Sequence, residues 1–314
     1  MKKVFIDGSE GTTGLRIHER LAGRSDIELL AIDPDKRKDP DEIRKFLNAS
    51  DISFLCLPDA AAIEAVALCD DPDTVILDTS TAHRTAEGWT YGFPELSPEN
   101  RDAIAHSKRI AVPGCYATGF ISLAYPLIKG GILPADYPVA ITAYSGYSGG
   151  GKKLIAAYEE EGRDPKFDSV RTYGWGQTHK HLKEMKAITG LKREPLFLPM
   201  TTNYHSGMIV SLPLYSDLLK GADSPEAVHH HLEEYYKDEE MVRVMPFGAE
   251  AEEGGTLFSD ALAGKDYLQI FVTGNAERIV VASRFDNLGK GASGAAIQCM
   301  NLVMGCAQTT GLVV

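Results

Sequence analysis

Hydrophobic and polar positions follow two periodicities in the first 110 residues. Short apolar runs at 3–7, 27–32, 52–57 and 74–78 predict buried strands, and apolar residues at helical spacing predict helices at 15–21 and 60–68. Strands that alternate with helices wind into a parallel sheet. The pattern therefore predicts an α/β fold that begins with a Rossmann-type, doubly wound domain.

The pattern changes after residue 114. Longer runs of alternating polarity at 139–144, 208–214, 267–272 and 278–283 predict a mixed or antiparallel sheet, and hence an α+β domain for catalysis and oligomerisation. A glycine-rich stretch from 286 then leads into a helical pattern at 295–304, which predicts a return to the first domain. The predicted domains are 1–114 with 286–314, and 115–285.

Composition narrows the class of protein. The 314 residues carry a net charge of −12, with 44% hydrophobic residues, which is ordinary for a soluble globular chain and disfavours nucleic-acid binding. Five cysteines without CxxC spacing argue against disulfides and zinc, so we expect a reducing cytoplasm and no metal. No signal peptide or long apolar run predicts secretion or membrane insertion. The run His229–His231 is interpreted as a solvated helix face.

A glycine triplet follows the first strand and opens the first helix. Gly8, Gly11 and Gly14, with Thr12 and Thr13 among them, have the spacing at which a tight turn lets a dinucleotide pyrophosphate approach the backbone. We predict that these five residues bind a nicotinamide coenzyme. A plain glycine-rich turn is the alternative.

The end of the second strand bears on the choice of coenzyme. Asp33 is placed to accept a ribose hydroxyl, which suits NADH, whereas Lys36, Arg37 and Lys38 suit the 2′-phosphate of NADPH. Three adjacent cations in an acidic chain favour NADPH. A solvated basic loop is the alternative.

Further ligands are expected where the other parallel strands end. Pro58 and Ser80 follow two such strands and are predicted at the coenzyme, and Arg84 is predicted to bind an anion unless it is a surface arginine. Late in the chain, Asn287 and Lys290 are predicted on the nicotinamide side.

Cys115 lies between Gly114 and a predicted helix. A helix N-terminus stabilises a thiolate, the form that attacks acyl carbons, so Cys115 is interpreted as a nucleophile, with a buried structural cysteine as the alternative. The glycine-rich stretch 145–153, with Ser145, Gly146 and Ser148, suits an anion or a lid, or is a flexible loop.

A thiol nucleophile needs an acid–base partner, and histidine has the suitable pKa. His179 and His181 are two residues apart, which on a helix separates them by about 200°, so at most one should face a given site. Tyr173 adds a hydroxyl nearby.

Together these motifs resemble the N-acetyl-gamma-glutamyl-phosphate reductase family of the arginine pathway, in its short class, and the resemblance covers essentially the whole chain. The matching segments are Gly8–Gly14, Lys36–Asp39, Asp78–Arg84, Gly92–Leu96, Val112–Thr118, Ser145–Gly150, His179–His181 and Asp286–Gly294. The family is similar in fold and chemistry to aspartate-semialdehyde dehydrogenases.

The resemblance implies the reaction. Cys115 attacks the acyl phosphate, phosphate leaves, and NADPH reduces the thioester to N-acetylglutamate 5-semialdehyde in a homodimer or homotetramer. His179 is the implied acid–base residue, with His181 second, while Tyr173 orients it and Arg84 holds phosphate. The chain departs from the family in having Lys183 where a proline is usual, and it lacks in 197–207 the arginine of long-class members.

Two other functions remain open from the residues. An aspartyl-phosphate reductase would use the same chemistry, although its cysteine typically follows asparagine rather than Gly114. A dinucleotide sensor without catalysis would keep the glycine triplet and have no use for an activated thiol.

Overall fold

The apolar runs of the N-terminal part form one sheet in the computed structural model, which describes residues 1–314. The chain divides into two units, Met1–Gly114 with Ala292–Val313, and Cys115–Gly291 with Val314. Residues 286–291, which the sequence pattern assigned to the first domain, therefore group with the second unit.

The first unit alternates strands and helices. Its elements, in chain order, are β1 Lys2–Asp7, α1 Thr12–Leu21, β2 Ile27–Leu30, α2 Pro40–Ala49, β3 Ile52–Leu55, α3 Asp59–Leu68, β4 Val75–Asp78, β5 Thr90–Tyr91, α4 Pro98–His106 and β6 Arg109–Ala111.

The second unit begins directly at a helix. Its elements are α5 Cys115–Lys129, β7 Ala140–Gly146, α6 Lys152–Glu159, β8 Arg171–Thr172, α7 His181–Thr189, β9 Leu196–Thr202, β10 Met208–Tyr215, α8 Pro225–Tyr236, β11 Val242–Val244, β12 Leu268–Gly274 and β13 Arg278–Phe285. A π-helical turn at Gly289–Ser293 then leads into α9 Gly294–Val303, all of which belongs to the first unit.

Six parallel strands form the sheet of the first unit, in the order β2-β1-β3-β4-β6-β5. One core contains buried side chains of β1, α1, β3, β4, α4 and β6 together with Ala295–Ile297, Cys299 and Met300 of α9. The other core, around Phe5, Leu47 and Leu55, holds α2 and α3. Helices cover both faces because the strands are apolar on both sides, which confirms the predicted doubly wound arrangement.

Local sequence sets where several helices begin. Three of them start at proline after a polar residue whose side chain accepts a backbone N–H of the first turn, which satisfies one of the unpaired donors there. These pairs are Asp39-Pro40, Ser97-Pro98 and Ser224-Pro225.

Seven strands form the sheet of the second unit, in the order β11-β12-β13-β10-β7-β9-β8. The sheet is mixed, because β11-β12 and β7-β9 pair in parallel while the other pairs are antiparallel. Helix α5 is buried along nearly its whole length. It comes closest to the sheet at Gly119, where a Cβ would lie 2.5 Å from Val210 and 2.8 Å from Phe285. The expected mixed sheet of an α+β domain is confirmed.

None of the helices combines the length and the apolar character that a membrane crossing requires.

Candidate active site

Cys115 is the first residue of α5 and is half-buried. The positive end of the helix dipole at this position favours a thiolate. The backbone of Gly291 packs against Cys115: a Cβ on Gly291 would lie 3.0 Å from the Cys115 Cβ. Glycine at position 291 therefore lets this backbone segment pack closely against the cysteine.

Two tyrosine hydroxyls lie in the cluster around this cysteine. The Tyr173 hydroxyl donates to that of Tyr116 over 2.8 Å, and Tyr116 donates to the Met200 carbonyl at 3.5 Å. Burial raises the pKa of Tyr173 to about 12 and that of Tyr116 well above its usual value, and the nearby Cys115 raises both further. Both phenols therefore stay neutral at physiological pH and remain hydrogen-bond donors.

Both predicted histidines pack against this cluster. The ring centroids of His179 and His181 are 4.7 Å apart, and Tyr116 lies 5.7 Å from the first and 6.0 Å from the second. The expectation that the two rings point about 200° apart is wrong. Helix α7 begins only at His181, so His179 precedes the helix and is free of its angular spacing.

His179 acts instead as a cap for this helix. Its Nδ1 accepts the backbone N–H of His181 at 3.2 Å, which satisfies a donor of the first turn. A ring nitrogen that accepts a hydrogen bond carries no proton, so the neutral ring of His179 has its proton on Nε2. His179 is half-buried and His181 is buried.

The predicted substrate loop follows β7. Ser145 is buried, its hydroxyl donates to the Gly146 carbonyl at 3.1 Å, and it lies near enough to Tyr116 to lower the pKa of that phenol slightly. Gly146 donates its N–H to Gly207, and a Cβ there would lie 2.5 Å from the His205 carbonyl oxygen. The backbone at the loop entrance is thus held closely against the turn before β10.

Asn287 hydrogen-bonds both to this loop and to Gly207 in the turn before β10. Its Nδ2 donates to the Ser148 hydroxyl at 3.0 Å, and its Oδ1 accepts the N–H of Gly207 at 2.9 Å. Asn287 and Lys290 are both buried and group with the second unit. The side-chain amide of Asn287 therefore links two backbone segments of that unit.

The glycine triplet opens α1 in the first unit as the motif requires. Gly8 has φ +83°, and a Cβ there would lie 2.5 Å from the Cys56 carbonyl oxygen; on Gly14 it would lie 2.3 Å from the Gly8 carbonyl oxygen. Only glycine fits either position. Helix α1 begins at Thr12 and Thr13 with Gly11 as its cap, and the Thr12 Oγ1 is buried without a hydrogen-bond partner. These features fit a dinucleotide pyrophosphate at the helix N-terminus.

A cavity of about 330 Å³ adjoins this turn. Its wall includes Asp7, Gly8, Glu10, Arg37 and Lys38. Burial raises the pKa of Asp7 to about 6, and its Oδ2 has no hydrogen-bond partner. Arg37 pairs with Glu10, so a cation is held at the mouth of the glycine turn.

The remaining basic residue of the loop lies elsewhere. Lys36 has its Nζ 3.7 Å from Glu42 in the first turn of α2, and it does not line the cavity. Asp33 accepts the N–H of Asp35 and thereby closes the turn after β2. Of the three cations that suggested a 2′-phosphate site, two therefore face the cavity.

The predicted residues after β3 and β4 have well-defined partners. Pro58 caps α3, and the Ser80 hydroxyl donates to Asp78 at 2.6 Å. Arg84 is buried and donates to the carbonyls of Thr79 and Val112, both at 2.9 Å. Arg84 therefore ties the loop after β4 to the segment that leads to Cys115.

His229–His231 is not the solvated face that the pattern suggested. His229 is buried and hydrogen-bonds to the Met245 carbonyl, and His231 hydrogen-bonds to the Pro126 carbonyl; only His230 is exposed. The apolar face of α8 is wide enough to take two of the three rings into its packing. No group of three or more His, Cys, Asp or Glu side chains has the arrangement of a metal site.

Comparison with known proteins decides the family. The chain is 46% identical to N-acetyl-gamma-glutamyl-phosphate reductase 2 of Nostoc sp. over 99% of both chains, and 45% identical to that of Pseudomonas putida over 98% of both. The family description "Semialdehyde dehydrogenase, dimerisation domain" matches residues 115–287. The chain belongs to the N-acetyl-gamma-glutamyl-phosphate reductase family.

Solved structures place this reductase family member in a wider fold group. Aspartate semialdehyde dehydrogenase II of Vibrio cholerae superposes with a TM-score of 0.72 at 16% identity, over 97% of this chain and 98% of that one. The enzyme of Francisella tularensis gives the same TM-score at 14% identity, over 97% of this chain and 100% of that one. The semialdehyde dehydrogenase fold is thereby confirmed, and membership implies an oxidoreductase that uses a nicotinamide dinucleotide.

For a reductase of this family, sequence reasoning missed several residues of the site. Tyr116 directly follows Cys115 and was not predicted, although its hydroxyl accepts a hydrogen bond from Tyr173. Phe197 packs its ring edge-on against both Tyr116 and His179. Asp7 directly precedes the glycine triplet, and a charged residue at the end of a buried strand was a usable signal.

Proposed function

We propose that this chain reduces N-acetyl-gamma-glutamyl phosphate to N-acetylglutamate 5-semialdehyde with release of phosphate, a step of arginine biosynthesis. The observation that carries the proposal is the cluster of Cys115, Tyr116, Tyr173, His179 and His181 at the N-terminus of α5, in a chain whose relatives bear this name over their full length. A non-catalytic sensor would have no use for this cluster.

Cys115 is the proposed nucleophile. Its sulfur forms a bond to the acyl carbon, and the bond from that carbon to the phosphate oxygen breaks, which leaves a thioester on the chain. The N–H groups at the start of α5 stabilise negative charge beside the reacting carbon.

His179 is the proposed acid–base residue. It takes the thiol proton of Cys115 and delivers a proton to the departing phosphate oxygen, so that phosphate leaves as hydrogen phosphate. In the neutral ring Nε2 already carries a proton, so the thiol proton is accepted at Nδ1, and the His181 N–H is released from Nδ1 during that step. His181 serves in this proposal through its backbone, and its ring closes the buried side of the cluster.

The other residues bind and orient. Tyr173 and Tyr116 present neutral hydroxyls, Arg84 holds phosphate, and the loop with Ser145, Gly146 and Ser148 contacts the acyl substrate. This division is supported for the tyrosines by their raised pKa values. For Arg84 and the loop it rests on the resemblance to the family.

NADPH is the proposed coenzyme, and when bound it supplies the hydride that reduces the acyl carbon. Gly8, Gly11, Thr12, Thr13 and Gly14 would hold its pyrophosphate. Arg37 and Lys38 at the cavity would take its 2′-phosphate, with Lys36 farther out. Pro58, Ser80, Asn287 and Lys290 complete the proposed set.

We also propose a homodimer or a homotetramer in a reducing cytoplasm. The matched family is described as a dimerisation domain, and no disulfide joins any two of the five cysteines. One face of the second sheet presents large apolar side chains to solvent: Tyr144, Leu196, Leu198 and Tyr215.

The test is an assay of the reverse reaction with N-acetylglutamate 5-semialdehyde, phosphate and NADP⁺, read as coenzyme reduction. We expect turnover, and we expect Cys115→Ser to lose at least about a thousandfold of it, because a serine hydroxyl is hardly ionised at neutral pH. Cys306→Ser, at another half-buried cysteine, is the matched control and should keep the rate. Turnover only with aspartate semialdehyde, or an active Cys115→Ser variant, would contradict the proposal.

A further inference from the structure

Gln177 has an unusual backbone conformation next to the proposed acid–base residue. It is the one residue other than glycine with a positive φ, at +54°. Such conformations cost energy in side-chain-bearing residues and persist where the surrounding structure enforces them. Gln177 lies two residues before His179, in a stretch with Gly174 and Gly176. The strain is therefore located in the segment that carries His179.

The side chain of Gln177 makes a paired contact with strand β9. Its Nε2 donates to the Phe197 carbonyl at 2.8 Å, and its Oε1 accepts the Phe197 N–H at 2.9 Å. The side-chain amide thus imitates the backbone of a neighbouring strand. The backbone N–H of Gln177 donates to the Gly174 carbonyl at 2.9 Å, which closes the turn behind it.

Phe197 connects this contact to the site. Its side chain is 1% exposed, and its ring centroid lies 5.1 Å from that of His179 and 5.0 Å from that of Tyr116, edge-on in both cases. The Gln177 side chain therefore hydrogen-bonds to the backbone of Phe197, and the His179 ring packs against the Phe197 ring.

Little else restrains this loop. Trp175 at its tip is 72% exposed, and Gly176 and Thr178 are also exposed. Tyr173 is joined to β9 by its N–H, which donates to Pro199 at 3.3 Å. Between this bond and the start of α7, the Gln177 amide donates to and accepts from the backbone of β9, and the His179 ring packs against the same strand.

We propose that Gln177 is a positioning residue that holds His179 at its working distance through Phe197. The inference rests on the proposed function of His179. Misplacement of a catalytic group by about 1 Å lowers a rate by about a hundredfold. Loss of the Gln177 amide should therefore reduce kcat.

The first test compares Gln177→Ala with Thr178→Ala, a control in the same exposed loop. We expect Gln177→Ala to lower kcat by about tenfold to a hundredfold, with the Kd for coenzyme within about twofold of wild type, because the glycine triplet lies in the other unit. Thr178→Ala should keep kcat. An unchanged kcat in Gln177→Ala would overturn the proposal.

The second test uses Gln177→Glu, whose protonated side chain has the same shape, one acceptor and one donor. An ionised glutamate cannot donate to the Phe197 carbonyl, whereas the protonated acid can. We expect the kcat of Gln177→Glu relative to wild type to rise at least about fivefold from pH 8 to pH 5. A flat ratio would contradict the role of the paired hydrogen bonds. This test compares the same kcat ratio at two pH values and uses only Gln177→Glu and wild type. It therefore decides the matter even if Gln177→Ala does not fold.

A double-variant cycle separates this proposal from the proposed function. If Gln177 acts through His179, Gln177→Ala should cause no further loss of kcat in a His179→Ala background. Full additivity, with His179→Ala strongly impaired, would overturn the positioning role alone. Wild-type kcat in His179→Ala would instead refute the acid–base assignment on which it rests.

Discussion

A backbone N–H determines which nitrogen of His179 bears the proton. Because the first residue of α7 donates to Nδ1, the neutral ring is fixed in one tautomer and one orientation. The same bond completes the helix end, so local folding and proton chemistry depend on one contact. A change at either partner should therefore affect both.

The negative charge of Asp7 destabilises the folded state, because the carboxyl is buried. Its pKa is about 6 in the folded chain and 3.8 ordinarily, so the folded state binds the proton more tightly. The stability that the folded state gains from a protonated Asp7 is fully present below about pH 4. It is lost as the pH rises through about 6, where the carboxyl ionises in the folded chain. We predict that Asp7→Asn unfolds with a free energy up to about 3 kcal/mol higher than wild type at pH 8, a difference that vanishes near pH 4. Urea denaturation between pH 4 and 8 measures it.

Asp51→Asn is the matched control for this prediction. The Lys3 backbone N–H lowers the pKa of Asp51, so its carboxylate stabilises the fold above about pH 4 and loses that effect in acid. Its replacement should therefore destabilise at pH 8, the opposite sign. If Asp7→Asn and Asp51→Asn shift stability in the same direction, the buried carboxyl of Asp7 is not the cause.

At the residue scale, the motifs singled out Cys115, Tyr173 and both histidines, which the structure brings into one cluster, while their catalytic roles stay predictions. Motif spacing was not sufficient for Phe197 and Gln177. These residues act through a contact between a loop and a strand about 20 residues later, and nothing in their local pattern indicates the pairing. The expected opposition of the two histidines is wrong because helical spacing was applied to His179, which lies two residues before the helix begins.

At the scale of elements, the loop between β2 and α2 carries the residues on which the proposed preference for NADPH depends. Arg37 and Lys38 face the cavity at the glycine turn, whereas Lys36 pairs with Glu42 on α2. Three consecutive cations were visible in sequence. Which of them face inward depends on how the loop turns, which composition does not specify.

We predict that Arg37→Ala and Lys38→Ala each weaken NADPH binding by about tenfold to a hundredfold and leave NADH binding nearly unchanged. A charge-assisted contact to the 2′-phosphate is worth about 1.5–3 kcal/mol, and NADH lacks that group. Fluorescence titration of both coenzymes gives the Kd values. Lys36→Ala is the matched control with a small effect, and equal loss of both coenzymes would contradict the assignment.

At the scale of the whole molecule, one face of the second sheet exposes apolar side chains that a protein partner could bury. Leu196 and Leu198 alternate with buried residues on β9, and Tyr144 and Tyr215 extend the same face across β7 and β10. Apolar patches of this kind mark contacts between proteins. The alternating pattern of these strands predicted a half-buried sheet but not what covers its open side.

We predict that Leu198→Glu weakens self-association at least about a hundredfold, because a buried unpaired carboxylate costs several kcal/mol in an interface. Sedimentation velocity at several concentrations measures the change. Leu218→Glu replaces a leucine of similar exposure, 45% against 41%, and should leave the assembly intact. A monomeric wild type, or an oligomeric Leu198→Glu, would show that this face is not the contact.

The return of α9 to the first unit sets an order for folding during synthesis. Helix α9 contributes five buried residues to the core of the first unit: Ala295–Ile297, Cys299 and Met300. This core cannot be completed until α9 has left the ribosome. The second unit, apart from Val314, is continuous from Cys115 to Gly291 and emerges before it. On a growing chain, the second unit can therefore be complete while the first unit still lacks part of its interior.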